Sequence, residues 1–211
     1  KFAYYGDRIE DCERNHVHDA WIGLNKDAYP VFGTTCNFAH AMQVTHADGN
    51  MTLDLAVSDV RREATDRGEH VSILLKDRQY PFELTAHYNA LYDEDIIESW
   101  IEVVHREKKP VVLYRFDSSY MPIRRGDVWV SHLHGAWTAE TMLTSEPLKN
   151  GLLEIRNTDG ARNAHYAHPE LMFSLDGAPS ENSGRVIGAV LCWSGNYSLR
   201  VDSDNSQVHH F

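Results

Sequence analysis

Thirteen histidines and 31 acidic side chains supply ample material for acid–base, metal or nucleophilic chemistry. The densest acid group is Asp93-Glu94-Asp95. Two carboxyl groups set across a bond can cleave a glycoside, but three adjacent acids between a Tyr and an Ile-Ile read as a hairpin tip. Glu98 and Glu102 share one strand face and read as solvent-facing charge. His16 and His18 put two imidazoles on one face of an extended segment, with no third ligand at metal-site spacing; surface or hydrogen-bonded histidines are the expectation. His132 and His134 sit on a strand, either touching a ligand or, the preferred reading, lining the sheet as a hydrogen-bonded pair. No GxSxG elbow, GxxxxGK[ST] loop or GxGxxG turn occurs. Five tryptophans remain. Sugars stack their flat C–H faces on aromatic rings. Trp100 and Trp193 lie inside apolar alternation and are expected in the core. Trp137, after the glycine of His134-Gly135-Ala136, is the candidate for exposure, although packing in a core or interface is the preferred reading.

The elements that must carry these residues alternate with a period of two. Met42, Val44 and His46 alternate up to Ala47-Asp48-Gly49-Asn50, where Asp-Gly supplies the positive φ of a tight turn. Met51, Leu53, Leu55 and Val57 alternate on the way back. Arg61 to Glu69 reads as a charged loop. Val71 to Leu75 and Phe82 to Tyr88 form a second hairpin across Lys76 to Gln79. Ile96 to Val104 is apolar on both faces, as in a strand covered on both sides. Short runs follow at 111–116, 129–135, 138–143, 152–157 and 169–175. Val190 to Ser194, the Gly195-Asn196 corner and Tyr197 to Val201 read as an inner hairpin with Leu191 and Trp193 facing one way. A dozen or so strands near ten-residue intervals, with no helical period sustained over three turns, predict an all-β fold. It is a large antiparallel β-sandwich, kept as one domain over 1–211.

Length and charge bound the remainder. A chain of 211 residues can bury a core without staples. A net charge of −11, with Lys and Arg scattered, argues against nucleic acid or an anionic membrane as partner. Cys12, Cys36 and Cys192 are too few and too far apart for a disulfide framework or zinc ribbon. No run of 18 apolar residues and no signal-peptide pattern occurs, so no membrane partner is expected. Periplasmic, secreted and cytoplasmic locations all fit.

Four stretches in order carry a resemblance: LHGAWTAE at 133–140, LKNGLLEI at 148–155, DGARNAHYAHP at 159–169 and VLCWSGNY at 190–197. Through Gly135, Trp137, Glu140, Leu148, Gly151, Gly160, His165, Pro169, Ser194, Gly195 and Asn196, the chain resembles the N-terminal domain of glycoside hydrolase family 36, the α-galactosidase and raffinose-type family. Val44 to Leu55 is similar to that family's early hairpin. The resemblance implies a β-supersandwich that packs against a C-terminal catalytic (β/α)₈ barrel. Two aspartates of that barrel would do the chemistry, so no catalytic residue, metal or cofactor is expected in 1–211. It also implies that the chain is a fragment lacking the last strands and the barrel.

The family loop Gly-Thr-Gly-Asp-aromatic-Arg, which reaches towards an active site, is matched here only by Gly33 and Thr34. Thr35, Cys36, Asn37 and Phe38 replace the rest. The candidates for contact with substrate or its rim are Asn37, Trp137, His165 and Asn196. The implied partners are the chain's own barrel, an α-galactoside and a second copy in a homo-oligomer. The alternative is a stand-alone carbohydrate-binding sandwich.

Overall fold

A computed structural model describes residues 28–33, 40–124, 126–161, 166–203 and 208–211. The described residues up to Met121 form one compact unit, and those from Pro122 onward form another. Among them are fourteen strands and no helix, so the fold is all-β and sandwich-like, built of antiparallel sheets.

In the first unit, β1 (Met42–Thr45) pairs with β6 (Val112–Phe116). A meander of β2 (Leu55–Thr65), β3 (Gly68–Asp77), β4 (Phe82–Leu91) and β5 (Ile96–His105) forms a four-stranded sheet in that order. Alternation decides which face of β4 is buried: Phe82, Leu84 and Ala86 point into the core, between half-buried Glu83, Thr85 and His87. Met42 and Val44 of β1 and Leu53 join them there. The β3–β4 turn is shaped by Asp77, whose Oδ1 accepts the N–H groups of Gln79 (2.8 Å) and Tyr80 (2.9 Å). This is an Asx turn, the reason Asp is preferred at such corners.

The second unit holds two four-stranded sheets. One has the order β12 (Val186–Val190), β11 (Ala167–Ser174), β8 (Trp129–Ala136), β9 (Ala139–Pro147). The other has the order β10 (Gly151–Asn157), β13 (Tyr197–Ser203), β14 (Val208–His210), β7 (Pro122–Arg124). Val130, Leu171 and Phe173 of the first and Ile155, Leu199 and Val201 of the second are buried at alternate positions.

Several expected elements differ. The Asp48-Gly49 corner forms, with Gly49 at φ +93° and Gly49 N–H bonded to His46 O. Beyond the bond from His46 N–H to Asn50 O its two arms do not pair, because both edges of β1 are taken. One meets β6, and on the other Phe32 N–H bonds Met42 O while Leu53 N–H bonds Phe32 O. The stretch Arg61 to Glu69 is no loop: Arg61–Thr65 extend β2, pairing through to Thr65 opposite Gly68, and only Asp66-Arg67 turn. Strand pairing is a backbone affair, so charged side chains are no obstacle where both faces meet water. β5 is an edge strand rather than a covered one, with Ile96, Ile97, Trp100 and Val104 exposed. The segment Val190 to Tyr197 is a crossover, not a hairpin: β12 pairs with β11, whereas β13 pairs with β10.

Candidate functional site

Trp137 occupies the tip of the β8–β9 hairpin, where Ala136 pairs with Ala139 across the two residues Trp137 and Thr138. Such a tight loop needs residues that accept positive φ, and Thr138 sits at φ +63°. Glu140 secures it, its Oε1 accepting Thr138 N–H at 3.2 Å. Gly135 lets the two strands approach, since a Cβ there would lie 2.8 Å from Glu140 Cα. The Gly-x-Trp-x-x-Glu spacing therefore builds a hairpin that holds an indole out, 78% exposed. An aromatic ring with one polar tip suits a sugar face or another protein surface.

Asn196 lies at the entry to β13, and its side-chain oxygen accepts Gly160 N–H at 2.8 Å. Beneath it, buried Asn157 donates through Nδ2 to Gly160 O (2.7 Å) and Gly195 O (2.9 Å) and accepts Asp159 N–H (3.1 Å). The two asparagines tie the 157–160 turn to the Gly195-Asn196 corner. Trp137 and Asn196 adjoin strands of different sheets of the same unit. Asn37 and His165 lie outside the described residues, as do His16, His18, Cys12 and Cys36.

Two tryptophans expected in the core are at the surface instead. Trp193 is 61% exposed, and its indole folds over Gly195, where a Cβ would meet Nε1 at 2.4 Å. The glycine two residues after a tryptophan was the signal for this. Trp100 is partly exposed and lies parallel to the His87 ring at 4.7 Å between centroids.

Several of the described histidines have identifiable partners. His134 Nε2 is bonded to Thr144 Oγ1 at 2.7 Å. Burial, and after it the charge of His134, push the His132 imidazole below its ordinary value, and its Nδ1 has no hydrogen-bond partner. His46 is buried and both its ring nitrogens face oxygen: Nδ1 meets Glu107 Oε1 at 2.7 Å and Nε2 meets Thr52 O at 3.2 Å. Its ring stacks on Tyr80 at 3.7 Å, and Glu107 also accepts Ala47 N–H. A ring so enclosed has no free nitrogen for a substrate; it clamps the Asp48 corner to the segment after β5. His70 and His87 meet each other on the sheet of the first unit.

Asp93-Glu94-Asp95 form the β4–β5 tip, as expected, with Glu94 bound by Arg67. Glu98 is held by Asn89 at 2.8 Å. Among the described residues no three His, Cys, Asp or Glu side chains group so as to hold a metal ion. On the face of the β12-β11-β8-β9 sheet opposite Leu171 and Phe173, large apolar side chains stand exposed among Glu170, Ser131, Ser145 and Ser174. They are Val186, Val190, Met172 and Leu143.

The model of the glycosyl hydrolase family 36 N-terminal domain matches residues 1–211. The chain belongs to this family. Among solved structures, this family 36 domain is similar to the α-galactosidase AgaA from Geobacillus stearothermophilus, at 24% identity and a TM-score of 0.79, covering 86% of this chain and 27% of that one. It is also similar to the α-galactosidase from Lactobacillus brevis, at 21% identity and a TM-score of 0.80, over 88% of this chain and 27% of that one. A third likeness is to the galactosidase domain of the α-galactosidase–sucrose kinase AgaSK, at 18% identity and a TM-score of 0.79, over 86% and 27%. These likenesses establish a shared fold. The family 36 domain spans about a quarter of the length of these solved relatives. No curated protein sequence matches it.

Proposed function

We propose that this domain is the non-catalytic N-terminal part of an α-galactosidase-like glycoside hydrolase, packing against a catalytic barrel and helping to shape the active-site rim or a subunit interface. The observation that carries this reading is the set of exposed apolar side chains on the β12-β11-β8-β9 sheet, with Leu143 59%, Val186 56% and Val190 66% exposed. Large apolar patches on soluble proteins mark surfaces that another surface covers, and in this reading the cover is a catalytic barrel. That barrel would cleave an α-galactoside with retention, through two carboxyl groups about 5–5.5 Å apart.

The test compares hydrolysis of a chromogenic α-galactoside by the 211-residue chain and by the longer polypeptide that carries it. Activity in the longer chain alone, weakened by Val190→Glu or Leu143→Glu while the domain's own melting is unchanged, is the expected result. Activity in the 211-residue chain overturns the reading. A second reading, a stand-alone carbohydrate-binding sandwich, is favoured by the exposed indole of Trp137. It requires sugar binding by the isolated chain that Trp137→Ala abolishes.

A further inference from the structure

We propose that His70 and His87, with the indole of Trp100 lying parallel to both, form a pH-sensitive latch that fastens the edge strand β5 to its sheet. The register builds the group. His87 stands opposite Trp100 on β5 and Ser72 on β3, while His70 stands opposite Asn89 on β4 and Glu63 on β2. The two imidazoles are parallel within 3°, their centroids 5.3 Å apart, and His70 Nε2 meets His87 Nδ1 at 3.1 Å. A separation that wide with nitrogens in contact means rings lying edge to edge, joined by an N–H···N bond. The indole is parallel within 4° of His87 and 1° of His70, at 4.7 and 5.6 Å.

Proton accounting gives the latch its behaviour. An N–H···N bond needs one donor and one acceptor, so two neutral rings share a single proton between them. A first added proton has a place to go. His87 Nε2 is buried without a hydrogen-bond partner, and Glu102 Oε2 stands 3.6 Å away. A protonated His87 then donates to His70 on one side and faces a carboxylate on the other, a charge-assisted arrangement. A second added proton has no such place. It puts N–H against N–H between two cations, and the contact must break. The comparison of pH 7.5 with pH 5 brackets the range in which imidazole side chains in general change charge.

The charged groups on this face do not relieve the clash. Glu63, Arg61 and Asp59 come from β2, the last two paired at 2.9 Å. Lys76 of β3 and Arg106 are both held by Glu83 of β4. Glu98 and Glu102 come from β5. Glu102 favours the first proton, at His87 Nε2, whereas the second meets the first across the His70 Nε2–His87 Nδ1 contact on the other side of the ring. Opening frees Trp100 and loosens β5, whose same face carries Ile96 and Val104.

The experiment is hydrogen exchange of the β5 amides in the full chain at pH 7.5 and pH 5, corrected for the chemical exchange rate. Wild type is expected to lose protection across residues 96–105 on acidification. His70→Asn is expected to keep it, because an amide offers His87 Nδ1 either a donor or an acceptor. His87→Gln presents the same choice to His70 and gives an independent second arm. Unchanged β5 protection in wild type, or equal loss in wild type and both variants, overturns the latch.

Discussion

Asn157 is the most consequential polar side chain in the second unit, and replacing it tests the account of the Gly195-Asn196 corner. It is 2% exposed and makes three hydrogen bonds, all to backbone groups of two separate segments. Each such bond contributes roughly 1 kcal/mol net, so Asn157→Ala should cost about 3 kcal/mol. For a chain of this length, that corresponds to a fall in melting temperature of about 6–12 °C. Asn157→Asp should be worse at neutral pH, since a carboxylate would face two carbonyl oxygens where the amide now donates. The assay is thermal melting followed by circular dichroism, with Trp193 emission as a local reporter of the corner. A fall of less than about 2 °C for Asn157→Ala would refute the reasoning, since a loss that small leaves no room for three buried bonds.

His132 should make stability depend on pH. Its imidazole is pushed below the ordinary value, so the unfolded chain binds the proton more readily than the folded one. The stability is fully present above the unfolded value of about 6.5 and is lost as pH falls through the folded one. Melting temperatures between pH 8 and 5 should therefore fall more steeply for wild type than for His132→Gln. Gly135→Ala should destabilise by about 1–3 kcal/mol, as overpacking does, because the new methyl meets Glu140 Cα and Ala139 O. Denaturant titration measures the loss, and a shift in Trp137 emission should accompany it. Glu107→Ala should cost about 1–3 kcal/mol by leaving the His46 ring and Ala47 N–H without their acceptor, since the His46 and Glu107 side chains are 0% and 6% exposed. The same titration reads it, and a change under about 1 kcal/mol would show that the clamp carries no stability.

Burial of one sheet face is what made much of this fold readable. The alternation of Phe82, Leu84 and Ala86, the turn at Asp77 and the acidic β4–β5 tip follow from local chemistry, and each lies where expected. Arg61 to Thr65 escaped notice because a ribbon wet on both sides leaves no hydrophobic period. The crossover after Val190 escaped for a different reason. A period of two followed by Gly-Asn says that a chain extends and bends, but not whether the next strand returns to its neighbour or enters another sheet. The two exposed tryptophans share this origin: Trp100 depends on which strand is the edge, and Trp193 on the crossover. Among the candidates for ligand contact, Trp137 stands exposed on its hairpin and Asn196 is engaged with Gly160.

The crossover also sets an order of events during synthesis. The β2 to β5 meander pairs only neighbours in sequence, so each hairpin can close soon after it leaves the ribosome. β7 is different. Its partner is β14, and Arg124 must wait until Val208 has been made. β10 likewise waits for β13, across the whole of β11 and β12. Pairings between distant segments pay loop-closure entropy before any contact rewards it, which slows them. A ribosome carrying this chain therefore exposes a folded meander beside a half-built second unit with unpaired strand edges. That interval is when the nascent chain is most open to misassembly with its neighbours.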